Sequence, residues 1–329
     1  MKFASITSIL TMVATATMAQ YAPQAGVAGS TAIDKNSPSI KAWATGCTVT
    51  RGFMDIADPA NGVASAGSDG AGTGAADNSI VSLGDSGVAV LTFASPIRNE
   101  SGPDFAIFEN GFANPQDPEM AFLELAFVEV SSNGLNYFRF PASCEADTTV
   151  QIGNTDYSNA RQFNNLAGKY KSNFGTPFDL EELKGLPQLD VNNITHVRIV
   201  DAVGSMNSAH AQRDKDGRKI NDPYPTPFAS SGFDLDAVGV MHTDVASGLP
   251  AFALPAGMQL YPNPAVSAVR FKTSTAARVE IYDVTGRNLL SQQVEAGEQT
   301  ISVAGWTAGV YTVRITVEGQ VYACKLQKI

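Results

Sequence analysis

At 329 residues the chain has the length of two domains, and 44% hydrophobic content beside 16% charged residues and 29 glycines excludes a disordered chain and suits a β-rich extracellular one. The formal charge of −10 and a pI near 4.8 argue against nucleic acid or anionic membrane as partners and leave cations and neutral ligands.

Residues 1–19 predict a secretory signal peptide. Lys2 supplies the basic start, residues 6–13 the apolar stretch, and Thr17-Met18-Ala19 a small-x-small cleavage site before Gln20. The apolar stretch is too short and too rich in threonine to stay in a bilayer, and no other run approaches 18 apolar residues, so no transmembrane segment is expected. Residues 20–39 read as a loosely held entry segment, and 40–53 as a first strand or edge. The Gly-, Ala-, Asp- and Asn-rich stretch 55–78 cannot supply core; it predicts a long surface loop, of the kind that orders around a ligand or an ion. Residues 79–93 predict two short strands around Gly84-Asp85-Ser86-Gly87.

Residues 102–140 hold the densest strand signal. Runs 104–109 and 122–131 are rich in β-branched and aromatic residues, with a proline- and asparagine-containing loop between them. Ser132-Asn133-Gly134-Leu135 places Asn-Gly at the centre of a type I′ hairpin turn, and 136–140 return as the partner strand. Within 122–131, Phe122, Ala126, Val128 and Val130 share a face with Glu124, while Leu123, Leu125 and Phe127 share the other with Glu129. That pattern predicts one central strand, covered on both sides and carrying carboxylates. A buried carboxylate is costly unless paired, hydrogen-bonded or bound to a metal. Escape to solvent, or to an arginine such as Arg139 or Arg198, is the simplest answer.

Residues 157–170 put Phe163, Leu166 and Tyr170 on one helical face, and 178–183 read as a short capped helical turn ended by Gly185 and Pro187. Residues 194–200 predict a strand ending in Asp201. The polar loop 204–231 contains Asp214-Lys215-Asp216-Gly217, a turn that lacks the other ligands of an EF-hand loop. Residues 233–241 predict a closing strand with Asp234 and Asp236 on one face. Residues 243–258 form a linker, after which roughly seven short strands predict a small β-sandwich. Of the three cysteines, Cys47 and Cys144 are the expected disulfide pair because both fall in the large domain, with Cys324 left over. Zinc is disfavoured: there is no C-x-x-C, and His196, His210 and His242 are the only histidines.

The C-terminal residues closely resemble the type A C-terminal sorting domain of the type IX secretion system of Bacteroidetes. The likeness lies in Leu260-Tyr261-Pro262-Asn263-Pro264, VEIYDVTGRNLL at 279–290, WTAGVYTVRI at 306–315, and the basic end at Lys325 and Lys328. It implies outer-membrane transport after Sec export, removal of the domain, and surface attachment or release, with the type IX machinery as partner. The segments VSLGDSGVAVLTF, GPDFAIFENGF, AFVEVSSNGLNYFRFP, LAGKYKSNFGTPFDLEEL, VRIVD and DPYPTPFASSGFDLDAVGV resemble a group of bacterial cell-surface proteins. More loosely, their order is similar to discoidin and galactose-binding-like jelly rolls. The expected architecture is all-β: a jelly-roll-like β-sandwich with short helical excursions over 40–242, then an Ig-like β-sandwich sorting domain over 259–329.

The function expected first is non-catalytic capture of a glycan, a peptide or a small nutrient such as a corrinoid at the cell surface, with Trp43, Phe112, Tyr224 and Phe228 as stacking aromatics. Asp104, Glu109, Asn110, Asp201, Asp234 and Asp236 are oxygen donors at strand ends and suit a structural calcium ion. A structural or adhesive surface protein is the alternative. Hydrolysis ranks lower: Glu109 with Glu124, or Ser131 or Ser132 with His196, supply the residue types, but no G-x-S-x-G, H-E-x-x-H or phosphate loop accompanies them.

Overall fold

Two antiparallel sheets stack face to face in the first unit of the computed structural model, which describes residues 21–243, 254, 257–317 and 320–329. The signal peptide expected at residues 1–19 and most of the expected linker lie outside the described residues. The chain divides into two compact units, Met1–Asp244 and Val245–Ile329.

The first sheet runs in the order Ile33–Asp34, Phe174–Phe178, Phe105–Glu109, Asp234–Val240, Ala42–Trp43, with Val81–Ser82 added at the Asp234 end. The second runs Phe138–Arg139, Ala126–Ser131, Ile194–Asp201, Val88–Ile97, Gly46–Thr50, with Leu166–Ala167 at the Ala126 end. Alternation decides which side chains meet. Ile107, Leu235, Val238 and Val240 of the first sheet pack against Ala89, Leu91, Val128, Val130, Val197 and Ile199 of the second in one buried cluster. Each such side chain contributes about 1.5–3 kcal/mol by leaving water. The outer faces are covered too. Phe108 and Ala237 lie with Ile33, Ile40 and Trp43, and Leu123, Leu125 and Phe127 lie with Cys144, Phe163 and Ile220. The two short strands expected around residues 84–87 are Val81–Ser82 and the longer Val88–Ile97.

Several local expectations give way. The run 122–131 is not one strand. Met120–Phe122 pairs with Phe112–Ala113, Ala126–Ser131 belongs to the second sheet, and residues 123–125 break between them. The break has a cause: the Leu125 amide donates to Asp222 Oδ2 at 2.9 Å and its carbonyl accepts from the Ala202 amide at 3.0 Å. The helix expected over 157–170 is instead a series of short strands, Ser158–Asn159, Phe163–Asn164 and Leu166–Ala167, around a 3₁₀ turn at Ala160–Gln162. Its apolar spacing serves two different clusters: Phe163 and Leu166 in one, Tyr170 in another. At the hairpin only Gly134 takes positive φ (73°). Asn133 instead accepts the Leu135 and Asn136 amides on Oδ1, at 2.9 Å each, so the turn is not type I′. All three cysteines are free thiols; Cys47 sits in the second sheet and Cys144 in a separate two-stranded ribbon. The 3₁₀ turn Leu180–Leu183, capped by Asp179, is as expected.

The second unit packs a three-stranded sheet (Gln259–Tyr261, Ala268–Thr273, Gly297–Ser302) on a four-stranded one (Asn288–Val294, Ala277–Tyr282, Gly309–Val317, Gln320–Lys328). Val269, Phe271, Val279, Ile281, Ile301, Val313, Ile315 and Leu326 fill the space between them.

Candidate functional site

Most carboxylates buried in the first unit are acceptors for backbone amides. Asp201 takes Ser86 N at 2.9 Å and Phe233 N at 2.8 Å; Asp236 takes Asp77 N and Asn78 N, each at 3.1 Å. Asp85 takes Ile56 N at 2.8 Å, and Asp214 takes Cys144 N at 3.0 Å and Asp216 N at 2.9 Å. A loop amide that finds no strand partner still needs an acceptor, and a nearby carboxylate supplies one. Glu129 solves burial differently: it pairs with Arg139 at 2.8 Å and with Arg198, the arginines expected for it.

Glu124 has neither solution. It is 5% exposed, sits at the break before Ala126–Ser131, and its carboxyl has no hydrogen-bond or ion-pair partner among the described residues. Gly168, at φ +79°, lets the chain lie against the Glu124 carbonyl, where a Cβ would stand 1.8 Å away. The side chain faces a cleft of about 310 Å³, lined also by Asn110, Phe112, Phe122, Asn154, Thr226, Phe228, Ser230 and Asp234.

Three parts of the chain build this cleft. Phe112–Ala113 pairs with Met120–Phe122, placing Phe112 directly across from Phe122 with ring centroids 4.8 Å apart and planes within 7°. Asp234 opens its strand beside Glu109 and accepts from Asn110 Nδ2 at 2.9 Å and from the Ser82 hydroxyl. The loop carrying Thr226, Phe228 and Ser230 is closed by Phe228 N to Thr226 O at 2.7 Å and Ser231 N to Phe228 O at 3.1 Å, and Asn154 Nδ2 reaches Pro225 O at 3.3 Å. Phe112 and Phe228 stay 56% and 53% exposed at the rim.

Charge accumulates beneath the rim. Burial pushes the Glu124 carboxyl well above the ordinary range, and Asp234, Glu109, Asp222 and Asp201 add to it. Glu109 is raised likewise, by burial and then by Asp234. Its Oε2 accepts from Gly111 N at 2.8 Å, while Oε1 is buried without a partner. Burial lifts Asp234 to about 6, against the hydrogen bonds from Ser82 and Asn110.

The expected aromatics separate. Phe112 and Phe228 share the cleft; Trp43 packs half-buried on Phe108 at 5.5 Å in the first sheet, and Tyr224 spends its hydroxyl on Asp55 Oδ1 at 2.8 Å. The expected oxygen donors separate as well. Asn110 and Asp234 line the cleft with Glu109 beside them, Asp201 and Asp236 hold loop amides, and Asp104 lies at the far end of Phe105–Glu109, bonded to His242 Nδ1 at 2.7 Å. Among the described residues no group of three or more His, Cys, Asp or Glu side chains is arranged to hold a metal ion. Ser131 Oγ binds within its own turn, Ser132 Oγ accepts from Asp190 N, and His196 Nδ1 bonds Thr195 Oγ1, so neither serine is hydrogen-bonded to His196. Asn154, Thr226 and Ser230 carry no sequence signal; only the folded loops bring them to Glu124.

No curated protein matches the chain. Among solved structures it is similar to PorZ, a surface component of the type-IX secretion system of Porphyromonas gingivalis, at 14% identity over 43% of this chain and 23% of that one, TM-score 0.20. It is similar also to a β-glucuronidase from Ruminococcus gnavus, at 11% identity over 90% and 48%, TM-score 0.21. The BSP domain of a biofilm associated protein gives 10% identity over 74% and 48%, TM-score 0.18. The chain spans less than half the length of each, and likenesses of this size carry no argument about the site. Residues 259–328 match the family described as the secretion system C-terminal sorting domain. No helix among the described residues is long and apolar enough to cross a membrane. The second unit is thus a type IX secretion sorting domain, and the chain that carries it is exported to the cell surface or the extracellular space.

Proposed function

We infer that the first unit is a binding module displayed or released by the type IX system, and that it takes a glycan in the cleft over Glu124. The observation that carries this reading is the pairing of two exposed rings, Phe112 and Phe228, with a recessed polar floor of Asn110, Glu124, Thr226 and Asp234 and two exposed polar side chains, Asn154 and Ser230, beside the rings. A sugar ring presents an apolar face to an aromatic and hydroxyls to amides, hydroxyls and carboxyls, and the cleft volume suits one small unit of such a ligand. The residues 1–19 would serve as the leader to the periplasm, and the looser likeness to galactose-binding jelly rolls agrees with this use of a β-sandwich.

Titration calorimetry of the purified protein against a panel of oligosaccharides tests it. Binding should be weakened about tenfold by Phe228→Ala, with an unchanged melting temperature because that ring is exposed. Binding that survives loss of both Phe112 and Phe228 would place the ligand elsewhere.

A second reading, glycan hydrolysis, is favoured by one feature: Glu124 and Asp234 line the same cleft and both carboxyls are raised. Release of chromophore from aryl glycosides, lost in Glu124→Gln, would move the protein into that class.

A further inference from the structure

The cleft floor is electrostatically incomplete. After burial itself, the groups that act most on the Glu124 carboxyl through space are all carboxyls: Asp234, Glu109, Asp222 and Asp201. Arg51 acts on Asp234 from a distance, and its guanidinium already donates to the carbonyls of Ala66, Ser82 and Gly67. The Glu124 carboxyl faces the cleft without a partner, and behind it Glu109 Oε1 and Asp222 Oδ1 are buried without one. A fold that buries uncompensated acids at a cleft floor needs either protons or a cation there.

Resting on the binding reading above, we propose that the ligand is an amino sugar with a free ammonium group, which enters between Phe112 and Phe228 and lies against Glu124 and Asp234. Three observations favour this class. The unpartnered, nine-tenths-buried Glu124 carboxyl is aimed into the cleft and offers two acceptor oxygens to an N–H donor. The exposed rim rings Phe112 and Phe228 are of the kind that attracts a cation as well as an apolar sugar face. The remaining lining groups, Asn110, Asn154, Thr226 and Ser230, are neutral hydrogen-bonding side chains suited to hydroxyls. Metal coordination is the poorer occupant, because Asp234 is already engaged by Ser82 and Asn110 and no three-ligand group is present among the described residues.

Burial favours the protonated Glu124 carboxyl and a seated ammonium favours the ionised one, so ligand binding is linked to release of a proton to buffer. The released proton makes the binding enthalpy depend on the ionisation enthalpy of the buffer.

The test is calorimetry on the full chain near pH 7 with the glucosamine disaccharide, its N-acetylated counterpart, cellobiose, lysine amide and calcium chloride, in phosphate and in Tris. The expected result is at least tenfold tighter binding of the free-amine disaccharide than of either neutral sugar, with a buffer-dependent enthalpy. Glu124→Gln should remove both the preference and the buffer dependence, while Phe228→Ala, an exposed substitution, weakens all sugars alike. Equal or better binding of the neutral sugars overturns the ammonium inference and leaves the glycan-binding reading standing. Binding of lysine amide alone overturns the amino-sugar class in favour of a peptide. Stabilisation by calcium that Glu124→Gln abolishes assigns the floor to a metal and overturns the proposal. No binding by any of them removes both readings.

Discussion

The amide of Phe233 donates to Asp201 Oδ1 at 2.8 Å, so the last residue of a second-sheet strand fastens the residue that leads into a first-sheet strand. The other oxygen of the same carboxyl holds Ser86 N at 2.9 Å, at the turn before Val88–Ile97. One side chain therefore joins three segments at the end of the sandwich nearest the cleft. Asp201→Ala leaves two amides without an acceptor, each worth about 1–3 kcal/mol when buried. The expected loss is on the order of 3 kcal/mol, seen as an earlier denaturant midpoint with an unchanged slope. A change under about 0.5 kcal/mol would mean that water replaces the carboxyl without cost.

Stability of the first unit should fall as pH rises from about 4 to 8. Burial lifts Asp201 to about 8, and Asp85 and Asp234 each to about 6, all from an ordinary 3.8. Between those limits the folded state keeps protons that the unfolded chain has released, so each contribution is complete below the unfolded value and lost as pH passes the folded one. Asp214 acts in the opposite sense: its bonds from amides and Arg218 hold it below the ordinary value against the cost of burial. Calorimetric scans should show the first unit's melting temperature highest near pH 4–5, and Asp201→Asn should flatten the decline. A melting temperature that climbs from pH 5 to 8 would contradict this.

Gly168 and Gly217 share nearly the same backbone conformation, φ +79° and +82°, but differ in what surrounds them. A methyl at Gly168 meets the Glu124 carbonyl oxygen at 1.8 Å and the Phe233 ring at 3.1 Å, whereas a methyl at Gly217 meets nothing within 4 Å. Gly217→Ala should cost about 1 kcal/mol, the ordinary penalty of left-handed backbone. Gly168→Ala should cost more than about 2 kcal/mol, because backbone must move as well. Equal midpoints for the two variants in urea would show that the 123–125 break is free to shift.

The thiols should be slow. Burial raises Cys47 and Cys324 each to about 11 and raises Cys144 as well, so little thiolate exists at neutral pH. Iodoacetamide at pH 7.5 should label the native protein sparingly and modify three cysteines after denaturation, with or without prior reductant. Labelling that requires reductant would reveal a disulfide absent from this fold.

The fold class was legible because alternation and turn residues recur at strand spacing: 88–93 and 194–200 fall in strands, 104–109 does so from Phe105 on, and the seven short strands after residue 258 are all present. Periodicity failed where long-range partners decided the backbone. Residues 122–131 read as one strand, but Asp222, nearly a hundred positions away, captures the Leu125 amide and breaks it. Residues 157–170 carry helical spacing, yet Phe163 and Leu166 answer one cluster and Tyr170 another. The site was half legible. Phe112, Phe228, Asn110 and Asp234 were singled out by type and position, and Glu124 by its unlikely place among apolar neighbours. Their convergence, and the exclusion of Trp43, Tyr224 and Asp104 from it, depend on pairings between distant strands.

The carboxylates that hold the loops are not the side chains that meet solvent in the cleft. Asp85, Asp201, Asp214 and Asp222 fix backbone, whereas Phe112, Asn154, Phe228 and Ser230 stand exposed on the backbone so fixed. Anchorage and display are therefore separate traits. Ligand preference can be rewritten at the loop tips without renegotiating the sandwich, which makes the first unit a natural starting scaffold for selecting new surface receptors.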